Sequence, residues 1–63
     1  MKLDIGNVVR TKVDFSGVPK GTTGTVIDIE YNNKTEYMIS WNHKKIVDWF
    51  TQNEVDDYLQ LVE

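Results

Sequence analysis

The chain has no cysteine, so neither a disulfide nor a thiolate metal site can staple it. It has one histidine and one proline. It shows no repeat, no low-complexity stretch and no linker. No segment approaches the roughly 18 consecutive apolar residues that a membrane helix needs, and no apolar run of signal-peptide length follows Met1-Lys2-Leu3-Asp4-Ile5-Gly6. The expectation is a soluble cytoplasmic protein without membrane contact. Sixty-three residues also leave no room for a dinucleotide-binding unit or a multi-domain enzyme. The reading is one domain spanning 1–63. A domain of this size hides only about 60% of the surface its unfolded chain exposes. Its core must therefore come from packed aromatic and β-branched side chains.

Basic residues are missing from one part of the chain. Residues 1–45 hold all seven Lys and Arg against five acids, a balance of +2, whereas residues 46–63 hold five acids and no Lys or Arg, a balance of −5. The net charge of −3 argues against DNA as a partner, because non-specific DNA binding is driven by phosphate neutralisation.

What is present reads as short strands. Val8–Val13 alternates and is rich in β-branched residues, the pattern of a first strand. Asp14–Thr22 carries Gly17, Pro19 and Gly21 and forms a structured loop. Thr23–Glu30 is the second strand, Asn32-Asn33 mark a turn, and Thr35–Trp41 is the third strand. A polar turn, Asn42–Lys45, leads into Ile46–Phe50 as the fourth. A three-residue loop, Asn32-Asn33-Lys34, would pair Tyr31 with Thr35, Ile29 with Tyr37, Ile27 with Ile39 and Thr25 with Trp41. That register gathers the apolar side chains on one face, and a one-residue slip would exchange the faces. Its cost is Glu30 opposite Glu36, tolerable when both are exposed.

Thr51-Gln52-Asn53-Glu54 fits a capping box, with Phe50 and Val55 at the two hydrophobic-staple positions around it. A short helix should begin at Gln52, held by packing because it is too short to stand alone. Leu59–Val62 closes the fold as a fifth strand.

Five short strands, a long first loop and a helical turn before the last strand make the layout of an SH3-like barrel. The residues resemble one branch of that fold. Ile5-Gly6-Asn7-Val8-Val9-Arg10, followed by Gly17-Val18-Pro19-Lys20-Gly21-Thr22-Thr23-Gly24-Thr25-Val26, resembles the KOW-type glycine pattern of ribosomal and transcription-elongation barrels. The motif covers residues 5–29. Beyond it, Val47-Asp48-Trp49-Phe50 with Glu54 and Leu59 looks similar to small bacterial and phage barrel proteins. The expected fold is all-β: a small five-stranded SH3-like barrel with one short helical turn before the last strand. Gly17, Gly21 and Gly24 would supply positive φ for sharp turns. The SH3 domains that bind proline-rich peptides carry Ala-Leu-Tyr-Asp-Tyr where this chain has Val13-Asp14-Phe15-Ser16. Proline-rich recognition is therefore not implied.

No catalytic constellation is visible, and no enzyme is expected. His43 sits in a polar turn between Asn42 and Lys44, with no cysteine to act as its nucleophile. Glu54, Asp56 and Asp57 lack the alternating spacing of a calcium loop. They suit the opening turns of a helix, so neither a metal nor another cofactor is expected.

The seven aromatics make up 11% of the chain. Tyr37, Trp41 and one of Trp49 or Phe50 are assigned to the core. The surplus is Phe15, Tyr31 and Tyr58. In SH3-like barrels the common binding face lies between the first long loop, the turn between strands two and three, and the helical turn, and these residues fall on those elements. The expected function is a non-catalytic, monomeric module that binds a protein partner through Phe15, Tyr31 and Tyr58. The alternative is a KOW-like RNA-binding module that uses Arg10, Lys12 and Lys20.

Overall fold

The alternation of the sequence becomes five strands and a helix: β1 (Val8–Thr11), β2 (Thr23–Glu30), β3 (Glu36–Trp41), β4 (Val47–Thr51), α1 (Gln52–Tyr58) and β5 (Leu59–Val62). The computed structural model describes residues 1–44 and 46–62. Lys45, expected in the second polar turn, and Glu63, the end of the acidic segment, lie outside the described residues. The strands pair antiparallel in the order β4-β3-β2-β1-β5. The sheet curls into a half-barrel with its one short helix before the last strand, the layout of an SH3-like barrel. Among the described residues, no helix is long and apolar enough to cross a membrane.

The odd-length hairpin register holds at the tip, where Glu30 faces Glu36, Ile29 faces Tyr37 and Asp28 faces Met38. It then shifts by one residue. Val26, not Ile27, faces Ile39, and Gly24, not Thr25, faces Trp41. Ile27 is the extra residue of a β-bulge, and it is exposed. The cause is parity. Val26 and Ile29 are three positions apart, and in an unbroken strand they would point to opposite faces. One inserted residue puts both on the inner face and bends the strand over the core.

Gly24 is likewise corrected. It lies inside β2, and it is not among the positive-φ glycines, which are Gly6, Gly17 and Gly21. Its function is close approach: a Cβ there would sit 2.6 Å from Ile39 Cγ2 and 2.7 Å from Trp41 Cε3.

Inside the curl lie Leu3, Val9, Val18, Val26, Tyr37, Ile39, Trp41, Phe50, Val55 and Leu59. The choice between Trp49 and Phe50 falls to Phe50, which is fully buried while Trp49 is 40% exposed. Trp41 meets the Phe50 ring edge-on at 5.9 Å, a favoured aromatic geometry. Its indole N–H donates to the Asp48 carboxylate at 2.7 Å.

Helix α1 follows from its cap. Thr51 Oγ1 accepts from the Glu54 amide at 3.3 Å, and the Thr51 amide donates to Glu54 Oε1 at 2.9 Å. The box thus satisfies two backbone donors that the first turn cannot. Phe50 and Val55, the staple pair, are both buried. At the far end, the Leu59 amide donates to the Val55 carbonyl, and the chain turns extended into β5.

Candidate functional site

The long loop between β1 and β2 is folded by its own polar groups. Phe15 and Val18 exchange backbone hydrogen bonds of 2.8 and 2.6 Å. Ser16 and Gly17, the two residues between them, both have positive φ, 42° and 83°, as a type I′ turn requires. Asp14 Oδ1 accepts from the Lys20 amide at 2.8 Å. Thr11, the one buried polar residue among those described, donates its hydroxyl to the Pro19 carbonyl at 2.9 Å and accepts from the Thr22 amide at 3.1 Å. These bonds hold the loop on both sides of its tip.

The loop delivers Phe15 to the barrel end. Its ring lies 4.8 Å from that of Phe50 and 5.6 Å from that of Tyr58, tilted against both. Phe50 lies near the end of β4, just before Thr51, and Tyr58 ends α1. Three elements thus meet at one aromatic shelf, with Phe50 buried beneath the partly buried Phe15 and Tyr58. A groove of about 380 Å³ runs along the loop itself, lined by Asp14, Phe15, Ser16, Gly17, Val18 and Pro19.

The fold brings Phe15 and Tyr58 together, and it places Tyr31 elsewhere. Tyr31 is 68% exposed and lines a second groove, of about 330 Å³, with Met1, Lys2, Thr35, Tyr37 and Gln52. Below this groove the buried Tyr37 donates its hydroxyl to Gln52 Oε1 at 2.6 Å. Gln52 Nε2 donates in turn to Asp56 Oδ1 at 3.1 Å and to the Met1 carbonyl. The two grooves therefore touch opposite ends of α1, Gln52 at one and Tyr58 beside the other. Sequence reasoning missed the part played by Met1, Leu3 and Gln52. The available signal was Leu3, an apolar residue just ahead of the first strand.

The N-terminal ammonium, 2.6 Å from Asp56 Oδ1, holds the Asp56 carboxyl below its ordinary value, and Gln52 and Lys12 add to the effect.

Of the basic residues, Arg10 lies exposed on β1 between Thr23 and Gln60. Lys12 donates its ammonium to the Asp56 carbonyl at 3.0 Å, and Lys20 sits exposed in the loop. Among the described residues, no three His, Asp or Glu side chains are grouped to hold a metal ion. No family model matches the chain, and neither does any curated protein or solved structure.

Proposed function

We propose that this chain is a non-catalytic module that docks a protein partner on the loop end of the barrel. Phe15 and Tyr58 form the apolar contact, and the acids of α1 form the charged rim. Tyr31, in the separate groove at the opposite end of α1, is reached only by a partner long enough to span the helix. The observation that carries this reading is the Phe15 ring, only partly buried where it packs on Phe50 and Tyr58, on a loop already closed by its own hydrogen bonds. A surface ordered before binding costs less to immobilise, and aromatic anchors supply much of the energy at protein interfaces. The acidic rim favours a basic partner and speeds encounter more than it adds affinity.

The KOW-type glycine pattern supports RNA binding through Arg10, Lys12 and Lys20 as the alternative. It is the weaker reading, because the Lys12 ammonium is turned toward the acidic helix.

The test is a pull-down with the intact chain and with Phe15→Ala and Tyr58→Ala. Loss of one recovered protein in both variants, each still folded by circular dichroism, supports the proposal. Undiminished recovery overturns it. A parallel titration with single-stranded RNA should leave β1 amides unmoved. Salt-sensitive shifts at Arg10, Lys12 and Lys20 would favour RNA instead.

A further inference from the structure

A second surface lies on the opposite face of the sheet. β4 is the last strand on one side, and among the described residues its only strand partner is β3. Such an edge is a template for another extended chain. This one is apolar as well as free: Val47 and Trp49 project outward and are exposed, as is Ile46 just before them. Trp49 stands directly opposite Met38 on β3, and the bulged Ile27 on β2 is also exposed. Trp49 is left over from the core because parity assigns the inward position to Phe50.

Acids flank this apolar face. Glu30 and Glu36 face each other across β2 and β3, and Asp28 faces Met38. Asp28 accepts from the Ile29 amide beside it. None of the three carboxylates is ion-paired among the described residues. Two like charges placed directly opposite each other are unfavourable, and an incoming cation would relieve them. The same charges oppose pairing with a second copy, which would bring another net −3 to the edge.

We propose that the β4 edge takes up an extended cationic and apolar segment of a partner protein as a sixth strand. Main-chain hydrogen bonds to β4 supply affinity, and alternate side chains supply specificity. The outward apolar residues of the segment pack beside Val47 and Trp49. Its Lys or Arg residues lie over the Trp49 ring, a favourable cation–π site. They also reach Glu36, which lies two strands away at about 10 Å. This surface is separate from the Phe15–Tyr58 shelf, and the two proposals stand or fall independently.

The experiment titrates the isotope-labelled full chain with the acetylated, amidated octapeptide Lys-Thr-Val-Thr-Lys-Thr-Val-Thr, whose every second residue, alternately Lys and Val, falls on one strand face. The same peptide with Glu in place of each Lys serves as control. The expected result is amide shifts confined to 46–51 and the Trp49 indole, weakened by salt, with no response to the acidic peptide. Trp49→Ser should weaken binding about tenfold, and Glu30→Gln with Glu36→Gln should flatten the salt dependence. Should Trp49→Ser fail to fold, the Gln pair carries the test. Phe15→Ala should bind the basic peptide like the parent. Equal binding of the acidic peptide, absence of shifts in β4, shifts confined to 14–19 and Tyr58, or dimerisation through β4 would each overturn the proposal.

Discussion

Gly24 lies beneath the Trp41 indole, so close that a Cβ would stand 2.7 Å from Cε3 of the ring. Ile39 crowds the same point from the neighbouring position, at 2.6 Å. Neither neighbour has room to yield, since both are buried and the indole is tied to Asp48. Gly24→Ala is expected to destabilise the fold by about 1–3 kcal/mol through overpacking. For a domain of this size that is a large share of a total on the order of 3–9 kcal/mol. Denaturant unfolding with an unchanged slope and a lowered midpoint checks it.

Gly17 makes the contrast. Its Cβ would meet nothing within 4 Å, but its φ is +83°. Gly17→Ala should cost about 1–2 kcal/mol, all of it backbone strain. Ser16→Gly should stabilise slightly, because Ser16 also sits at positive φ. Opposite signs at adjacent positions in thermal melts are the expected outcome.

The capping box predicts that Thr51→Ala lowers stability by about 1 kcal/mol, with loss of hydrogen-exchange protection concentrated in α1. Thr51→Ser should recover most of it.

The surplus aromatics should separate by stability as well as by place. Phe15→Ala removes a ring packed on Phe50 and Tyr58 and is expected to cost about 1–2 kcal/mol, less than a fully buried Phe. Tyr31→Ala should stay within about 0.5 kcal/mol of the parent, as exposed positions do. Equal losses for both would show that Tyr31 is held as firmly as Phe15.

Asp56 gives a pH dependence of known sign. Its folded-state value lies below the ordinary 3.8, so the folded form binds that proton less readily than the unfolded chain. The stabilisation is complete above the ordinary value and is lost as pH falls through the depressed one. The group is exposed, so the effect is small. Stability curves of the parent and Asp56→Asn should differ at neutral pH and converge in acid.

The order of strands along the chain, the capping box and the burial of Tyr37 and Trp41 were legible because each rests on local pattern, alternation or a four-residue motif. The choice of Phe50 over Trp49 stayed open, and β1 ends at Thr11, not Val13. The bulge at Ile27 was not legible. It is a backbone device, and its only trace in the sequence is the odd spacing of Val26 and Ile29. Gly24 was read by residue type as a turn former, when its meaning depends on Trp41, seventeen positions away. The contact of Phe15 with Tyr58 follows from layout. The separation of Tyr31 depends on how Met1 and Lys2 run past Gln52, for which no local pattern exists.

The bulge also divides the central hairpin into two independently adjustable parts. Below it, Gly24 and Val26 face Trp41 and Ile39 on one side and the β1 segment on the other, Gly24 opposite Val9 and Val26 bonded to the backbone of Gly6 and Asn7. Above it, from Asp28 and Met38 outward, the chain counts from a new origin. A tip of different length or composition, joined beyond Ile29 and Tyr37, would leave the inner packing in place, Tyr37 being itself part of the core. Deleting Ile27 would leave Val26 and Ile29 two positions apart on one face and Asp28 still opposite Met38, so the tip would keep its facing and lose only the bend. The hairpin end is thus an interchangeable head on an invariant stem, with one residue serving as the coupling.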